Sequence, residues 1–573
     1  MRIMSFFCAA VMMFSALSAF SALSFTAAGK QLSQEDFVHT EGQAVVGTDG
    51  RELLIRGVSL GNSVYGNPKE PNYSHHDEDT YRELSELGFN CVRFYLNYGL
   101  FEDDEKPYSY KKEGFQWLDR NVKWAKKYGM GIIFNMHFPQ GGYQSAGNGM
   151  ALWTEKENGD RLCALWQAIA ERYANEPAVW GYALINEPFV PYLGEDEATI
   201  RQVKSLMDRI TAEIREVSPY QMIFAETGIM TKDAQTGERI MPKRAAEGLL
   251  FTLEDDNVVY EFHNYNPFHF THQDADWAGT EGIVTGYPSH RIAAADYESY
   301  WVGCVRGTAK ESGTWTRFET APVTLSEDSN IGYAAVNAAR LGERGTAYFD
   351  DITVTETAPD GSTRILYSYD FEESVSDFYM WSEDGTGSIA LSDEGRNGGS
   401  CMKITGSLSD LTASADHFEL REGHFYTVSG YIRSTVQTPV IRMDLAKASG
   451  ILTADREFLE STFRPYAEFS EKHDVPVYLG EFGVIAAGFQ DGRGGERWVS
   501  DMLDICYSLG IGFNYHCYHE GGFGLYQSYD YILPREQDRN KALFGVFSEK
   551  LRRNTAAYGV RLMLERLFSR RHG

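Results

Sequence analysis

The sequence predicts an α/β fold, a (β/α)8 TIM barrel carrying an inserted all-β domain, and three observations lead there. From Glu52 onward short apolar runs alternate with amphipathic stretches of helical period, the pattern of parallel strands joined by crossover helices. After about Tyr287 the chain turns to Gly, Ser, Thr and Asp around alternating strands, and from Asp455 the helical period returns. Six strand–helix units before the break and two after it make eight.

The first 28 residues read as a signal peptide: Met1-Arg2, an apolar stretch from Ile3 to about Leu23, then small residues near Ser24 and Ala27-Ala28. The cut is expected between Ser18 and Ala28, leaving a secreted, extracellular protein with no membrane segment. Residues 29–288 then form the first part of the barrel, with strand runs at 53–60, 89–96, 131–138, 179–185, 222–225 and 258–262. Between them lie helices such as 161–173, where Leu162, Leu165, Trp166, Ile169 and Tyr173 share one face, and 197–217. Residues 289–450 are expected as the inserted β-sandwich, since about 160 residues exceed any loop. Residues 451–573 complete the barrel, with helices at 455–471, 496–509 and 541–553 and strands at 477–481 and 511–518.

Composition narrows the partners. With 53 Lys and Arg against 81 Asp and Glu, the net charge of −28 repels phosphate backbones and anionic membranes, which excludes nucleic acid. A neutral polymer is indifferent to that charge. Aromatic content of 14% suits sugar stacking, although it also builds cores. Of seven cysteines, Cys8 leaves with the signal; Cys91, Cys163, Cys304, Cys401, Cys506 and Cys517 match no metal spacing. They are expected as buried thiols, with a Cys304–Cys401 bridge as the alternative. His75-His76-Asp77 sits in an Asn/Pro-rich stretch and is expected as a solvated loop rather than a zinc site.

Barrels of this kind place their chemistry at the C-terminal ends of strands, where eight loops make one open face. Two glutamates end apolar strands: Glu187, in Ile185-Asn186-Glu187-Pro188 after the fourth run, and Glu481, in Leu479-Gly480-Glu481-Phe482-Gly483 after the seventh. Hydrolysis of a glycosidic bond needs such a pair, one carboxylic acid to protonate the leaving oxygen and one carboxylate to attack or to activate water. Either residue alone could equally cap the next turn. Together, on strands four and seven, they point to catalysis.

These segments resemble glycoside hydrolase family 5, the cellulase and mannanase family of clan A, over about 43–288 and 454–555. Asn186-Glu187-Pro188 is similar to its acid/base motif and Gly480-Glu481-Phe482-Gly483 to its nucleophile motif. The resemblance further implies that Arg93 holds the nucleophile, that His137 lies at the sugar subsite, and that His263 and Tyr265 stand around the nucleophile. Physical reasons run beside it. A cation such as Arg93 and a phenol such as Tyr265 would keep Glu481 ionised, Glu187 is expected in the less charged, more buried setting, and Asn186 would bond the sugar 2-hydroxyl. The chain departs from the family at the eighth strand, where a tryptophan is usual and Tyr515 or His516 stands in. Trp277, in a loop similar to one in cellulase-like members, is a candidate stacking platform, as is Trp153.

In the insert, 347–354 and 369–373 resemble the last and first strands of jelly-roll carbohydrate-binding modules, but in reversed order. That implies a circularly permuted jelly roll, with a structural calcium at Asp351 and Glu372 and with Trp301, Trp315 and Trp381 as platforms or core residues; a spacer is the alternative. Taken together, the resemblance implies a secreted retaining endo-β-1,4-glucanase acting on a polysaccharide, either β-glucan or β-mannan, with no metal or cofactor in catalysis. β-Mannanase and β-1,3- or mixed-linkage glucanase remain open, as does a non-catalytic polysaccharide-binding protein.

Overall fold

A computed structural model describes residues 32–551 except 66–68, 146, 228, 233–238, 241–249, 308–312, 437 and 531; the expected signal peptide therefore lies outside the described residues. Eight parallel strands close a barrel: β1 (Arg56–Leu60), β2 (Cys91–Asn97), β3 (Gly131–Phe138), β4 (Val179–Ala183), β5 (Met222–Glu226), β6 (Val258–His263), β7 (Val477–Phe482) and β8 (Gly512–Tyr515). Each strand pairs with its neighbour in chain order, β5 meets β6, and β8 returns to β1. Around them run α1 (Glu78–Leu87), α2 (Lys112–Lys127), α3 (Lys156–Tyr173), α4 (Asp196–Val217), α5 (Arg456–His473) and α6 (Gly495–Leu509), with a last helix described over 541–551.

Local chemistry sets the helix ends. Asp77 caps α1 by accepting from Asp79 N and Thr80 N, and Gly88 ends it at φ 113°. Asp455 caps α5 in the same way through Glu457 N and Phe458 N. The stripe expected on α3 is buried as a unit, and Trp166, fully buried, donates Nε1–H to Leu184 O at 3.0 Å. Burying that indole against β4 contributes on the order of 3 kcal/mol.

The barrel interior has two characters. Its N-terminal end is apolar, built from Ile55, Cys91, Ile133, Met222, Phe224 and Tyr478 and closed by Val38 and Val45 of the N-terminal hairpin. Toward the C-terminal end the inward positions become polar: Arg93, Asn135, Glu261, Glu481 and Asn514 are all buried. Strand alternation carries this change, since Cys91, Arg93 and Tyr95 lie on one side of β2.

Between β6 and α5 the chain forms two antiparallel sheets. One orders Ile292–Arg306, Val440–Thr453, Ile331–Asn337, Leu411–Glu419 and Tyr379–Ser382. The other orders Thr316–Glu319, Phe425–Ser434, Thr346–Thr357, Cys401–Thr405 and Ser388–Ser392, with Thr363–Tyr369 paired to Thr346–Thr357. Alternate residues, among them Ala334, Val336, Leu411, Met443, Phe349, Val354 and Val428, enclose a separate core. Asp351 is ion-paired with Arg396, and Glu372 accepts from Ser400 N at 2.9 Å. Trp301 and Trp381 are exposed rather than core residues, while the Arg433 guanidinium lies over the Trp315 ring at 5.3 Å.

The six described cysteines are free thiols, as expected, five of them buried and Cys304 half-buried, which sets aside the alternative of a Cys304–Cys401 bridge. One expectation changes here. His75 and His76 are not solvated: both are buried, with His75 Nδ1 and His76 Nδ1 2.8 Å apart, His75 Nε2 3.0 Å from His519 O and His76 Nε2 2.8 Å from Asn121 Oδ1. Tertiary contacts with α2 and the loop after β8 cover a segment whose local composition reads as loop.

Candidate active site

At the C-terminal rim Glu187, just beyond β4, and Glu481, on β7, face each other. One oxygen of each, together with a ring nitrogen of His263, lies within 4.8 Å of the others. Glu187 has φ +43°, a strained position for a side-chain-bearing residue. Its N–H is anchored by Glu226 Oε2 at 2.6 Å, and its Oε1 lies 2.9 Å from His263 Nδ1. Contrary to expectation Glu187 is the more open of the two, 22% exposed against 5% for Glu481. The reason is position: Glu187 lies past the strand end, whereas Glu481 remains within the ladder.

Glu481 is held by three hydrogen-bond donors and faces a fourth group, His263, at ion-pair distance. Oε1 accepts from Arg93 Nη1 at 2.7 Å and from Tyr95 Oη at 2.7 Å; Oε2 accepts from Tyr265 Oη at 3.0 Å, with His263 Nδ1 at 3.7 Å. Burial acts to raise its pKa, but the charges of His263 and Arg93, followed by that of His516, outweigh burial and hold the carboxyl well below the usual range.

Arg93 also reaches Glu261 at 2.6 Å and Asn186 Oδ1 at 3.0 Å, both across buried contacts. Gly480 makes room for this: a Cβ there would stand 1.9 Å from Glu261 Oε1. Asn186 in turn donates to Ser145 Oγ at 3.2 Å, which leaves one amide hydrogen for the cleft. Burial pushes Glu226 well above the carboxylate range, against the pull of His263. Burial would lower His263, yet Glu226 and Glu481, with hydrogen bonds to Glu187 and Glu261, raise it well above its ordinary value.

His137 contacts the Tyr65 hydroxyl and stacks on Tyr95 at 4.1 Å; burial pushes it down to about 3, so its ring is neutral. Trp277 is 67% exposed and stands edge-on to His272 and Phe523 at the rim. Trp153 is tied down by its Nε1–H bond to Gln144 Oε1 at 2.8 Å. The eighth strand separates the two substitutes for tryptophan. Asn514 and His516 turn inward, His516 Nδ1 lying 3.0 Å from Tyr95 Oη. Tyr515 turns outward, packs edge-on against Phe482 and Phe547, and donates to Phe523 O at 3.2 Å. It is not at the site, because side chains alternate along a strand.

Sequence reasoning passed over Tyr95, Glu226, Glu261, Tyr65, Glu520 and Tyr143, whose ring lies 5.9 Å from that of His137. Strand period held the signal for two of them: Tyr95 is two residues beyond Arg93 and Glu261 two before His263, so each shares its neighbour's face. Glu226 ends the fifth strand as Glu187 and Glu481 end theirs.

Among the described residues three clusters have ligand atoms close enough for a metal: Glu187, His263 and Glu481; Glu226, Glu261 and His263; and His516, Cys517 and Glu520. In each a histidine faces carboxylates and balances their charge. Cys517 is held far above the thiolate range by burial.

Residues 46–308 match the family model described as Cellulase (glycosyl hydrolase family 5), a span that runs from before β1 to beyond β6; β7 and Glu481 follow it. Endoglucanase C of Acetivibrio thermocellus is 30% identical over 195 residues, 34% of this chain and 52% of that protein. Cellodextrinase A of Ruminococcus flavefaciens is 25% identical over 298 residues, 50% of this chain and 81% of the other. A beta-xylosidase of Phanerodontia chrysosporium is 27% identical over 299 residues, 46% and 57% respectively. The chain thus spans about half the length of Endoglucanase C. A solved structure described as an endoglucanase aligns over 87% of this chain and 97% of its own, at 14% identity and a TM-score of 0.45.

Proposed function

From a barrel whose residues 46–308 match the glycosyl hydrolase family 5 model, we propose that this protein is a retaining, endo-acting β-glycanase of that family that cuts β-1,4-glucan by double displacement. One observation carries the reading: Glu187 and Glu481 present oxygens within 4.8 Å of each other. Retaining enzymes hold their carboxyl groups about 5 to 5.5 Å apart, whereas inverting enzymes need roughly 6.5 to 9.5 Å to admit water between them.

In the first step a Glu481 oxygen bonds to the anomeric carbon as the glycosidic C–O bond breaks, and the leaving oxygen takes its proton from Glu187. In the second, Glu187 takes a proton from water, whose oxygen displaces Glu481 and restores the starting configuration. Arg93 keeps the nucleophile ionised, and Asn186 offers its remaining N–H to the sugar. A bound sugar would supply the cover that Glu187 lacks. Glucan as substrate is supported by relatives named endoglucanase and cellodextrinase. Secretion is supported by the sequence of residues 1–28, and a permuted jelly roll at 289–450 by the motif order described above.

Azide rescue separates the roles. With an activated aryl glycoside, Glu481→Ala loses turnover and regains it with azide, giving inverted product. Glu187→Ala slows deglycosylation and is rescued with retained configuration. Identical responses in the two variants would contradict the assignment. A panel of soluble glucans, mannans and xyloglucan, read by product length, tests linkage and endo action; a preference for mannan or single-residue release would overturn those parts.

A further inference from the structure

The loop after β8 carries a second set of ionisable groups that the double displacement leaves unused, and a proton count shows what it does. The Tyr95 hydroxyl has one hydrogen, which it donates to Glu481 Oε1 at 2.7 Å. Its other two neighbours must then donate to it. Ser59 can, because its own oxygen already accepts from Asn514 Nδ2 at 2.6 Å, so its hydrogen goes to Tyr95 at 2.8 Å. His516 Nδ1, 3.0 Å from Tyr95 Oη, must likewise carry a hydrogen. The far nitrogen, Nε2, faces Glu520 Oε2 at 3.6 Å. Glu520 is itself fixed by the N–H groups of Gly522 and of Phe523, the latter at 2.8 Å. A ring with a hydrogen on Nδ1 and a carboxylate at Nε2 is satisfied only as an imidazolium.

Resting on the reading of Glu481 as nucleophile, we propose that His516 and Glu520 are positioning residues: the Glu520-paired imidazolium of His516 locks the Tyr95 proton onto Glu481 Oε1, so that Oε2 is the oxygen that attacks. Oε1 already receives Arg93 and Tyr95, which fill its two lone pairs. Among the described residues Oε2 accepts one hydrogen bond, from Tyr265 at 3.0 Å, with His263 Nδ1 beyond hydrogen-bond distance at 3.7 Å, and it keeps one lone pair for the anomeric carbon. The bond formed is Oε2–C1, the bond broken is C1 to the leaving oxygen, and the proton comes from Glu187.

A neutral His516 can serve Tyr95 or Glu520 but not both, so loss of its proton loosens Tyr95. Burial would lower the ring's pKa; the contact with Glu520 and the charge of Glu481 raise it instead. The remaining charged and titratable groups around the ring are Glu187, His137, His272, Tyr95, Tyr265 and Cys517; burial holds His272 down to about 3 and raises the two phenols and the thiol well above their ordinary values, so those three stay protonated. His272 therefore stays neutral and does not compete for the proton.

The test uses a β-glycosyl fluoride, whose leaving group needs no proton, so kcat/KM is free of Glu187 as acid. Glu520→Gln moves the alkaline limb of kcat/KM down by about one pH unit or more, and His516→Gln, uncharged but still able to donate to Tyr95, removes that limb. An unmoved limb in Glu520→Gln, or a persistent one in His516→Gln, overturns the proposal; if one variant does not fold, the other decides. Nitrogen-15 NMR of the histidine-labelled protein, with His516 assigned by its loss in His516→Gln, reads the pair without turnover. The ring is expected to be doubly protonated at pH 7 and to lose a proton at lower pH in Glu520→Gln; a neutral wild-type ring overturns the proposal. Failure of the wild type to cleave any fluoride would sink the hydrolase reading alone, with the ring titration still deciding on the pair.

Discussion

Replacing Arg93 by Met removes the one guanidinium that ties β2 to β4, β6 and β7, and its effect can be sized from the geometry. Arg93 is fully buried, 2.7 Å from Glu481, 2.6 Å from Glu261 and 3.0 Å from Asn186. Without it two buried carboxylates lose their cation, and His263 remains as the principal balancing charge. An arginine beside a carboxylate lowers its pKa by about 1 to 3 units, and each unit is worth about 1.4 kcal/mol. Arg93 depresses Glu481, and the proposed double displacement needs Glu481 ionised. The acid limb of kcat/KM should therefore move to higher pH by about 1 to 3 units, with about tenfold less activity per unit at any pH below the new limb. Arg93→Lys keeps the charge but cannot span all three partners, so the limb should stay closer to wild type while kcat falls. The assay is the pH profile of kcat/KM on an aryl glycoside, with circular dichroism confirming the fold. A folded Arg93→Met variant whose acid limb is unmoved would refute the electrostatic account of Glu481.

Glu226→Leu leaves the buried Glu187 N–H without its acceptor, at a cost of about 1 to 3 kcal/mol. It should lower kcat by tenfold or more with KM little changed, and an unchanged kcat would remove Glu226 from the acid/base support. Trp277→Ala, at a largely exposed residue, should change stability by less than about 0.5 kcal/mol. It should raise KM several-fold for long oligosaccharides but not for a short aryl glycoside; equal effects on both would exclude a stacking platform. His76 is pushed down to about 4 by burial, against its Asn121 hydrogen bond, while the unfolded chain titrates near 6.5. Its neutral form thus stabilises the fold fully above pH 6.5, and this is lost as pH falls toward 4, up to about 3 kcal/mol. The urea midpoint should drop over that window and drop less in His76→Gln; matching slopes would locate the acid sensitivity elsewhere.

Much of the fold is legible in the chain because burial on both faces of a parallel strand leaves a local mark. The run at 131–138 coincides with β3, and Leu162, Leu165, Trp166, Ile169 and Tyr173 bury together as their spacing implies. Glu187 and Glu481 stood out because each charge directly follows an apolar run. The rest had no such mark. His75 and His76 sit among loop-forming residues, and it takes Tyr81 of α1, Phe94 of β2, α2 and the loop after β8 to bury them. Tyr515 and His516 are adjacent, and only the register of β8, inward at Asn514, decides which one enters the site.

The sequence by itself determined the barrel, the β interruption after the sixth strand and the pair of glutamates, since period, composition and strand ends are properties of neighbouring residues. Only the tertiary structure decided the charge network. Arg93, Glu261 and Glu481 meet across positions far apart in the chain, and Tyr95, His516 and Glu520 acquire their protons from partners that closure of the barrel supplies. Electrostatics at about 3 Å depends on separation in space, and spacing along the chain does not contain it.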